Sequence, residues 1–129
     1  MIISGLVSVI MPAYNSAEFI EESIHSVQQQ SYPNWELIVI DDASTDETRD
    51  KEKQLFKVDS RIILLQNTTN QGTGISRNLG IKAAKGEFIA FLDADDLWKH
   101  EKLEIQLKFM EENNLKVCFS SYERINEKG

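Results

Sequence analysis

Asp93, Asp95 and Asp96 fall within four consecutive positions, directly after the apolar run Phe88–Leu92. Three carboxylates at such spacing repel one another unless something positive lies between them. At an extended strand end, residues two apart point the same way, so Asp93 and Asp95 can aim at one point. Hard oxygen donors suit Mg²⁺ or Mn²⁺, which need only one or two carboxylates when phosphate and water complete the shell. A cation there relieves the repulsion. The competing assignment is structural: Asp95 or Asp96 caps a helix over Trp98–Asn113, a role that suits Asp96 and leaves Asp93 unexplained.

Three other short stretches carry polar groups after apolar runs. Pro12, Ala13, Tyr14 and Asn15 follow the first run, Asp41 and Asp42 the second, and the loop after the third leads to Arg77. Helix capping accounts for any one of these. Four such connections together favour a ligand crevice, because open α/β sheets bind ligands at the carboxyl ends of their strands.

The elements that must position these residues alternate along the chain. Leu6–Met11, Glu36–Ile40, Arg61–Leu65, Phe88–Leu92 and Val117–Ser120 read as short apolar strands. Between them lie helical patterns. Asn15 and Ser16 are candidate caps for a helix carrying Ile20, Ile24 and Val27, which ends near Gln30. Ser44-Thr45-Asp46-Glu47 has the form of a capping box for a polar helix ending near Val58. Ile75, Leu79 and Ala83 mark the apolar face of a third helix, and Leu103, Leu107 and Met110 that of a fourth. Strands apolar without alternation imply burial on both faces, and intervening helices imply right-handed parallel crossovers. The expected fold is therefore α/β, a three-layer sandwich around a mainly parallel, Rossmann-like sheet.

Composition narrows the function further. The chain has 129 residues and a net charge of −7, with no basic tract. That argues against a nucleic-acid partner. An acidic protein that takes a phosphate ligand needs a cation or a local basic group at the site. The single cysteine, Cys118, excludes an internal disulfide and reads as a buried thiol suited to a reducing compartment. The apolar start MIISGLVSVIM lacks a basic leader and reads as a strand, and no run reaches the length of a membrane span. A Walker-type phosphate loop is missing, and Arg77 breaks the dinucleotide pattern in QGTGISRNLG. His25 and His100 have no metal-binding partner at helical spacing and read as solvated helix residues.

Taken in series, VSVIMPAYN, ELIVIDDASTDET and NQGTGISRNLGIKAAKGEFIAFLDADD resemble family 2 glycosyltransferases of the A-type, nucleotide-sugar-binding fold. The resemblance runs from Val7 to about Tyr122. It implies transfer of a sugar from a nucleoside diphosphate donor, usually UDP-linked, to an acceptor hydroxyl with inversion, in glycan or cell-envelope polysaccharide synthesis. Pro12, Ala13, Tyr14 and Asn15 match the first nucleotide-contacting loop. Asp42 matches the aspartate that hydrogen-bonds the base, and Arg77 a basic residue near the pyrophosphate or base. Asp93 matches the member of the Asp-x-Asp motif near the ribose, and Asp95 the member that binds Mn²⁺ or Mg²⁺.

The resemblance further implies that residues 1–129 are a donor-binding domain, probed by a glycan or lipid-linked acceptor that a later, missing half would hold. The general base belongs to that half and matches no residue here. Location in the cytoplasm, peripheral at the inner membrane face, is the matching expectation. So is transfer inactivity of the fragment alone, with a route to self-association through its uncovered edge. Two other classes compete: a non-catalytic nucleotide-binding module, and a phosphoacceptor receiver domain. The receiver pattern needs an acidic pair after the first strand and a lysine after the fifth, where this chain has PAYN and CFSSY.

Overall fold

The computed structural model describes residues 2–114. Four strands form one parallel sheet: β1 (Ile3–Ala13), β2 (Trp35–Asp41), β3 (Ile62–Gln66) and β4 (Gly86–Phe91). Four helices connect or follow them: α1 (Ile20–Gln28), α2 (Thr48–Val58), α3 (Thr73–Ala83) and α4 (Lys102–Glu112). The strand order is β3-β2-β1-β4. The chain therefore reverses direction across the sheet between β1 and β4, and a crevice opens at their carboxyl ends. The expected fifth strand, Val117–Ser120, and Cys118 lie outside the described residues.

The sheet has a helical layer on each face, as the alternation of elements implies. On one face Val7, Val9 and Met11 of β1 and Leu37 and Val39 of β2 pack with Ile20, Ile24 and Val27 of α1 and Leu103 of α4. On the other, Ile10, Ile38 and Ile40 pack under the end of α3 at Ala83 and Ala84. The sequence reading missed how α3 sits. Its buried residues are Ser76 and Gly80, while Ile75 and Leu79 are exposed. The small side lets the helix backbone approach the sheet: a Cβ on Gly80 would come within 2.6 Å of Ile10 Cγ2 and 2.8 Å of Ile40 Cδ1.

A second correction concerns β4. Its residues alternate between covered and exposed, so it is not buried on both faces. The strand sits at one edge of the described sheet, and α3 lies over β1 and β2. Ile89 and Phe91 pair in register with Ser8 and Ile10 and stay exposed on the α3 side.

The expected helix caps also fail to form. Helix α1 starts at Ile20 without a side-chain cap, and α2 starts at Thr48 with none from Ser44. Asp46 instead accepts from the Thr48 amide at 2.9 Å, while Asn15 and Ser44 bond each other's loops. Helix α4 begins only at Lys102, six residues beyond Asp96, which does not cap it.

Where β4 begins, its backbone is held tightly. The Gly86 amide donates to Ser8 Oγ at 2.8 Å, and the Lys85 amide to Glu36 Oε2 at 2.8 Å. A Cβ at Gly86 would meet Leu6 O at 2.6 Å and Ser8 N at 2.8 Å, backbone atoms that cannot rotate away. Gly86→Ala is therefore expected to destabilise the protein by about 1–3 kcal/mol through overpacking. A denaturant midpoint equal to the parent's would contradict this.

Candidate functional site

The carboxyl ends of the strands are laced together by main-chain bonds. The Asp42 amide donates to Ala13 O at 2.8 Å, the Asn67 amide to Asp41 O at 2.8 Å, and the Leu92 amide to Ile10 O at 3.1 Å. These bonds fix the starting points of four loops. Between them lies a cleft of about 620 Å³. Pro12, Ala13, Tyr14, Asn15, Asp42, Arg77, Asp93 and Asp95 all line it, so the sheet brings together every candidate site residue read from the sequence. Ser16, Phe19, Thr73, Ser76 and Ala94 line it as well and were missed. Ser16, Phe19, Thr73 and Ser76 come from the first turns and entries of helices and Ala94 from the turn after β4, where sequence alone shows neither the direction nor the depth of a side chain.

The first wall is the β1–α1 loop. Asn15 adopts φ 46°, a left-handed conformation that asparagine tolerates. Its Oδ1 accepts from the Thr45 amide at 2.8 Å, and its own amide donates to Ser44 Oγ at 3.0 Å. The Ser16 amide donates to Thr48 Oγ1 at 2.8 Å. The loop is thus tied to the β2–α2 connection, and Tyr14 is left exposed at the mouth.

Asp42 forms the floor and is 4 % exposed. Its Oδ1 accepts from Asn67 Nδ2 at 2.9 Å and the Gln71 amide at 2.7 Å, and its Oδ2 from the Gly72 amide at 2.9 Å. Burial pushes its carboxyl up, but these three hydrogen bonds outweigh burial and hold it below the usual aspartate value. The carboxylate thus orders the segment leading into α3 and has capacity for one further donor, since a carboxylate has about four lone-pair sites.

The far wall is acidic. Ser23, buried on α1, sets its hydroxyl between the carbonyls of Ala94 at 2.8 Å and Asp96 at 2.7 Å. The Asp96 amide donates to Asp93 O at 3.0 Å, closing a turn. That turn gathers Asp93, Asp95 and Asp96, whose ligand atoms lie within 4.8 Å of one another. Partial burial, and then the charges of Asp95 and Asp93, push the Asp96 carboxyl above its usual value. Freed from the expected capping role, Asp96 is a third member of the cluster. An all-oxygen donor set whose repulsion is relieved by a side-chain cation only at Asp93 fits Mg²⁺ or Mn²⁺.

Arg77 is the only cation among the described residues lining the cleft. Its Nη2 pairs with Asp93 Oδ1 at 3.1 Å, both side chains being nearly half exposed. Such an exposed pair contributes little to stability, so it can open to a ligand at small cost. The lining carries Asp42, Asp93 and Asp95 against Arg77, a negative balance that disfavours an anionic ligand bound without a cation.

Known proteins resemble this chain in sequence and in fold. The chain is 50% identical over 121 residues to an Escherichia coli protein, UDP-Glc:alpha-D-GlcNAc-diphosphoundecaprenol beta-1,3-glucosyltransferase WfgD, covering 94% of this chain and 47% of that one. The crystal structure of S. aureus TarS 1-349 in complex with UDP-GlcNAc superposes with a TM-score of 0.77 at 36% identity, over 84% of this chain and 32% of that one. The mannosyltransferase PcManGT from Pyrobaculum calidifontis, in complex with GDP-Man and Mn²⁺, gives a TM-score of 0.76 at 32% identity, over 81% of this chain and 32% of that one. The chain thus spans at most about half the length of the curated relatives it matches. Residues 8–129 match the model of Glycosyl transferase family 2, and with nearly the whole sequence accounted for, the chain belongs to that family.

Proposed function

We propose that this chain is the donor-binding part of a metal-dependent, inverting glycosyltransferase that uses a UDP-linked sugar. The observation that carries the reading is the meeting of Asp42, Arg77 and the Asp93–Asp95–Asp96 cluster around one cleft at the strand-order reversal. The pyrophosphate would lie between Arg77 and the carboxylate cluster. Asp95, with Asp93 and Asp96, would hold Mn²⁺ or Mg²⁺. When bound, the cation neutralises charge that builds on the leaving nucleoside diphosphate. Arg77 shares that task once its exposed pair with Asp93 opens. Asp42 offers its remaining lone pair to the base, and Tyr14 and Phe19 supply aromatic surface on the opposite wall.

The relatives support the donor and the setting. The E. coli relative is named for a UDP-glucose donor and a diphosphoundecaprenol-linked acceptor. A lipid-linked or glycan acceptor in envelope polysaccharide synthesis, reached from the cytoplasmic face of the membrane, is the matching proposal here. Among the described residues, no helix is long and apolar enough to cross a membrane. We assign the acceptor site and the general base to chain beyond the donor-binding residues. General-base assistance is worth about 10²–10⁴ in rate, so this part by itself is assigned donor binding without efficient transfer.

Calorimetry with UDP tests the reading. Binding is expected to be tighter in Mn²⁺ or Mg²⁺ than in chelator, by about 10-fold or more, since contacts to charged groups contribute about 1.5–3 kcal/mol. Equal affinity in both conditions would remove the cation from the site, and no binding in either would remove the nucleotide.

A further inference from the structure

Behind the nucleotide loop lies an acid that donor binding does not use. Glu52 sits on the side of α2 that faces the sheet and is 1 % exposed. Both of its carboxyl oxygens are buried and meet no donor among the described residues. Oδ1 of Asp41, at the end of β2, is in the same condition. The two carboxyls nevertheless lie within hydrogen-bonding reach of each other. Two acceptors facing one another in a dry interior leave both unsatisfied, unless one carries a proton.

The rest of Asp41 is fully engaged. Its Oδ2 accepts from Arg49 Nε at 2.7 Å and from the Ser44 amide at 3.1 Å. Arg49 continues to Asn67 O at 3.1 Å, and Asn67 Nδ2 bonds Asp42. A continuous chain of polar contacts thus runs from Glu52 through Asp41, Arg49 and Asn67 to Asp42 on the cleft floor. Ala43, between Asp42 and Ser44, has φ 64°, so the loop is held in a conformation costly for alanine.

We propose that Glu52 and Asp41 share one proton, that Glu52 is thereby a positioning residue for the Asp41–Ser44 loop, and that nucleotide binding weakens when the proton leaves. The proposal rests on the donor-binding reading for its last part only. With the Arg49 charge already matched by Asp41, a second negative charge on Glu52 has no partner and strains the loop that carries Asp42.

The charged surroundings support one proton. Asp41 comes from β2, Arg49 from α2 itself and Asp46 from the loop before it. Strand β3 carries no ionisable residue. Glu21 of α1 is half exposed and lies 3.9 Å from Lys51. Burial first, then the charge and hydrogen bond of Asp41, push the Glu52 carboxyl up to about 9, against which Arg49 acts more weakly.

Because its folded value lies above the unfolded 4.5, the folded state holds one more proton than the unfolded state between 4.5 and about 9. Stability therefore falls as pH rises through that window and levels off above it. Glu52→Gln keeps a hydrogen-bond donor permanently and removes the linkage.

The test is denaturant unfolding of the intact protein and its Glu52→Gln variant from about pH 6 to about pH 9.5, with UDP affinity in Mg²⁺ measured over the same range. Relative to the variant, the parent's folding equilibrium constant is expected to fall about ten-fold per pH unit up to about pH 8 and to level off beyond about pH 9. At about pH 9.5 roughly three-quarters of the folded protein has lost the proton, so UDP affinity should fall about three-fold more than the variant's across the range, the titration of the uracil ring being common to both. Parallel stability curves would overturn the shared proton. Diverging stability curves with parallel affinity curves would overturn the positioning role. UDP binding by neither protein, with diverging stability curves, would overturn the donor-binding reading and the coupling to it, and leave the shared proton established. Should the Gln variant fail to fold, ¹³C titration of the Glu52 carboxyl in the parent decides: ionisation near the ordinary glutamate value overturns the shared proton.

Discussion

Asp95→Asn removes the response of UDP binding to Mn²⁺ and leaves the melting temperature at or slightly above the parent's. Asparagine keeps the shape and turn preference of aspartate but loses the charge that a hard cation requires. Asp95 is exposed and its carboxylate adds to the repulsion felt by Asp96, so its neutralisation relieves strain in the apo protein. A charge-assisted contact is worth about 1.5–3 kcal/mol, which corresponds to roughly 10–150-fold in affinity. Calorimetry with and without Mn²⁺, beside a thermal melt, checks both halves. A variant that answers Mn²⁺ as the parent does would assign the cation to Asp93 and Asp96 alone.

Asp42→Ala acts on both fold and ligand. The substitution leaves the Gln71 and Gly72 amides without their acceptor in a part-buried setting, and Asn67 Nδ2 with Ser76 Oγ alone. The expected cost is about 2–4 kcal/mol of stability, with UDP affinity down by about 10-fold or more and the preference for uridine over cytidine reduced. Asp42→Asn repairs only part of this, because its amide nitrogen meets donors where an oxygen stood. The carboxyl's folded pKa is depressed, so its contribution is complete above 3.8 and disappears as pH falls through the lower folded value. Acid unfolding of the variant should therefore show a shallower loss of stability below about pH 4. An Ala variant that melts like the parent would show that Asp42 does not hold the loop. Equal losses for uridine and cytidine nucleotides would confine it to holding the loop.

The two substitutions separate residues that look alike in sequence. Both aspartates follow an apolar run and both line the cleft. One is exposed and bears unrelieved charge; the other is buried under three donors. Only the surroundings supplied by other elements make that difference, which is why Asp95 is expected to trade little stability for its role and Asp42 a great deal.

The apolar runs and their spacing determined the strands, the helices and the parallel three-layer plan, since period and punctuation are local properties of the chain. They also determined that polar loops would meet at one edge: in a parallel sheet every carboxyl end faces the same way. Thus the sequence alone gathers Pro12–Asn15, Asp42, Arg77, Asp93 and Asp95 at one edge of the sheet. What required tertiary structure was every choice among competing partners. Ile75 and Leu79 have the period of a buried face, yet α3 turns Ser76 and Gly80 inward because a residue without a side chain allows closer contact with Ile10 and Ile40. Asp96 and Ser44 have the form of caps, yet distant groups, the Ser23 hydroxyl beneath the Asp93–Asp96 turn and the Asn15 amide, set their surroundings. Glu52 belongs to a helix polar on average, and only the packing of α2 on the sheet and on α1 buries it beside Asp41. A side chain's periodicity is written in its own segment, but its burial, its partners and its charge state are set by residues far away in the chain.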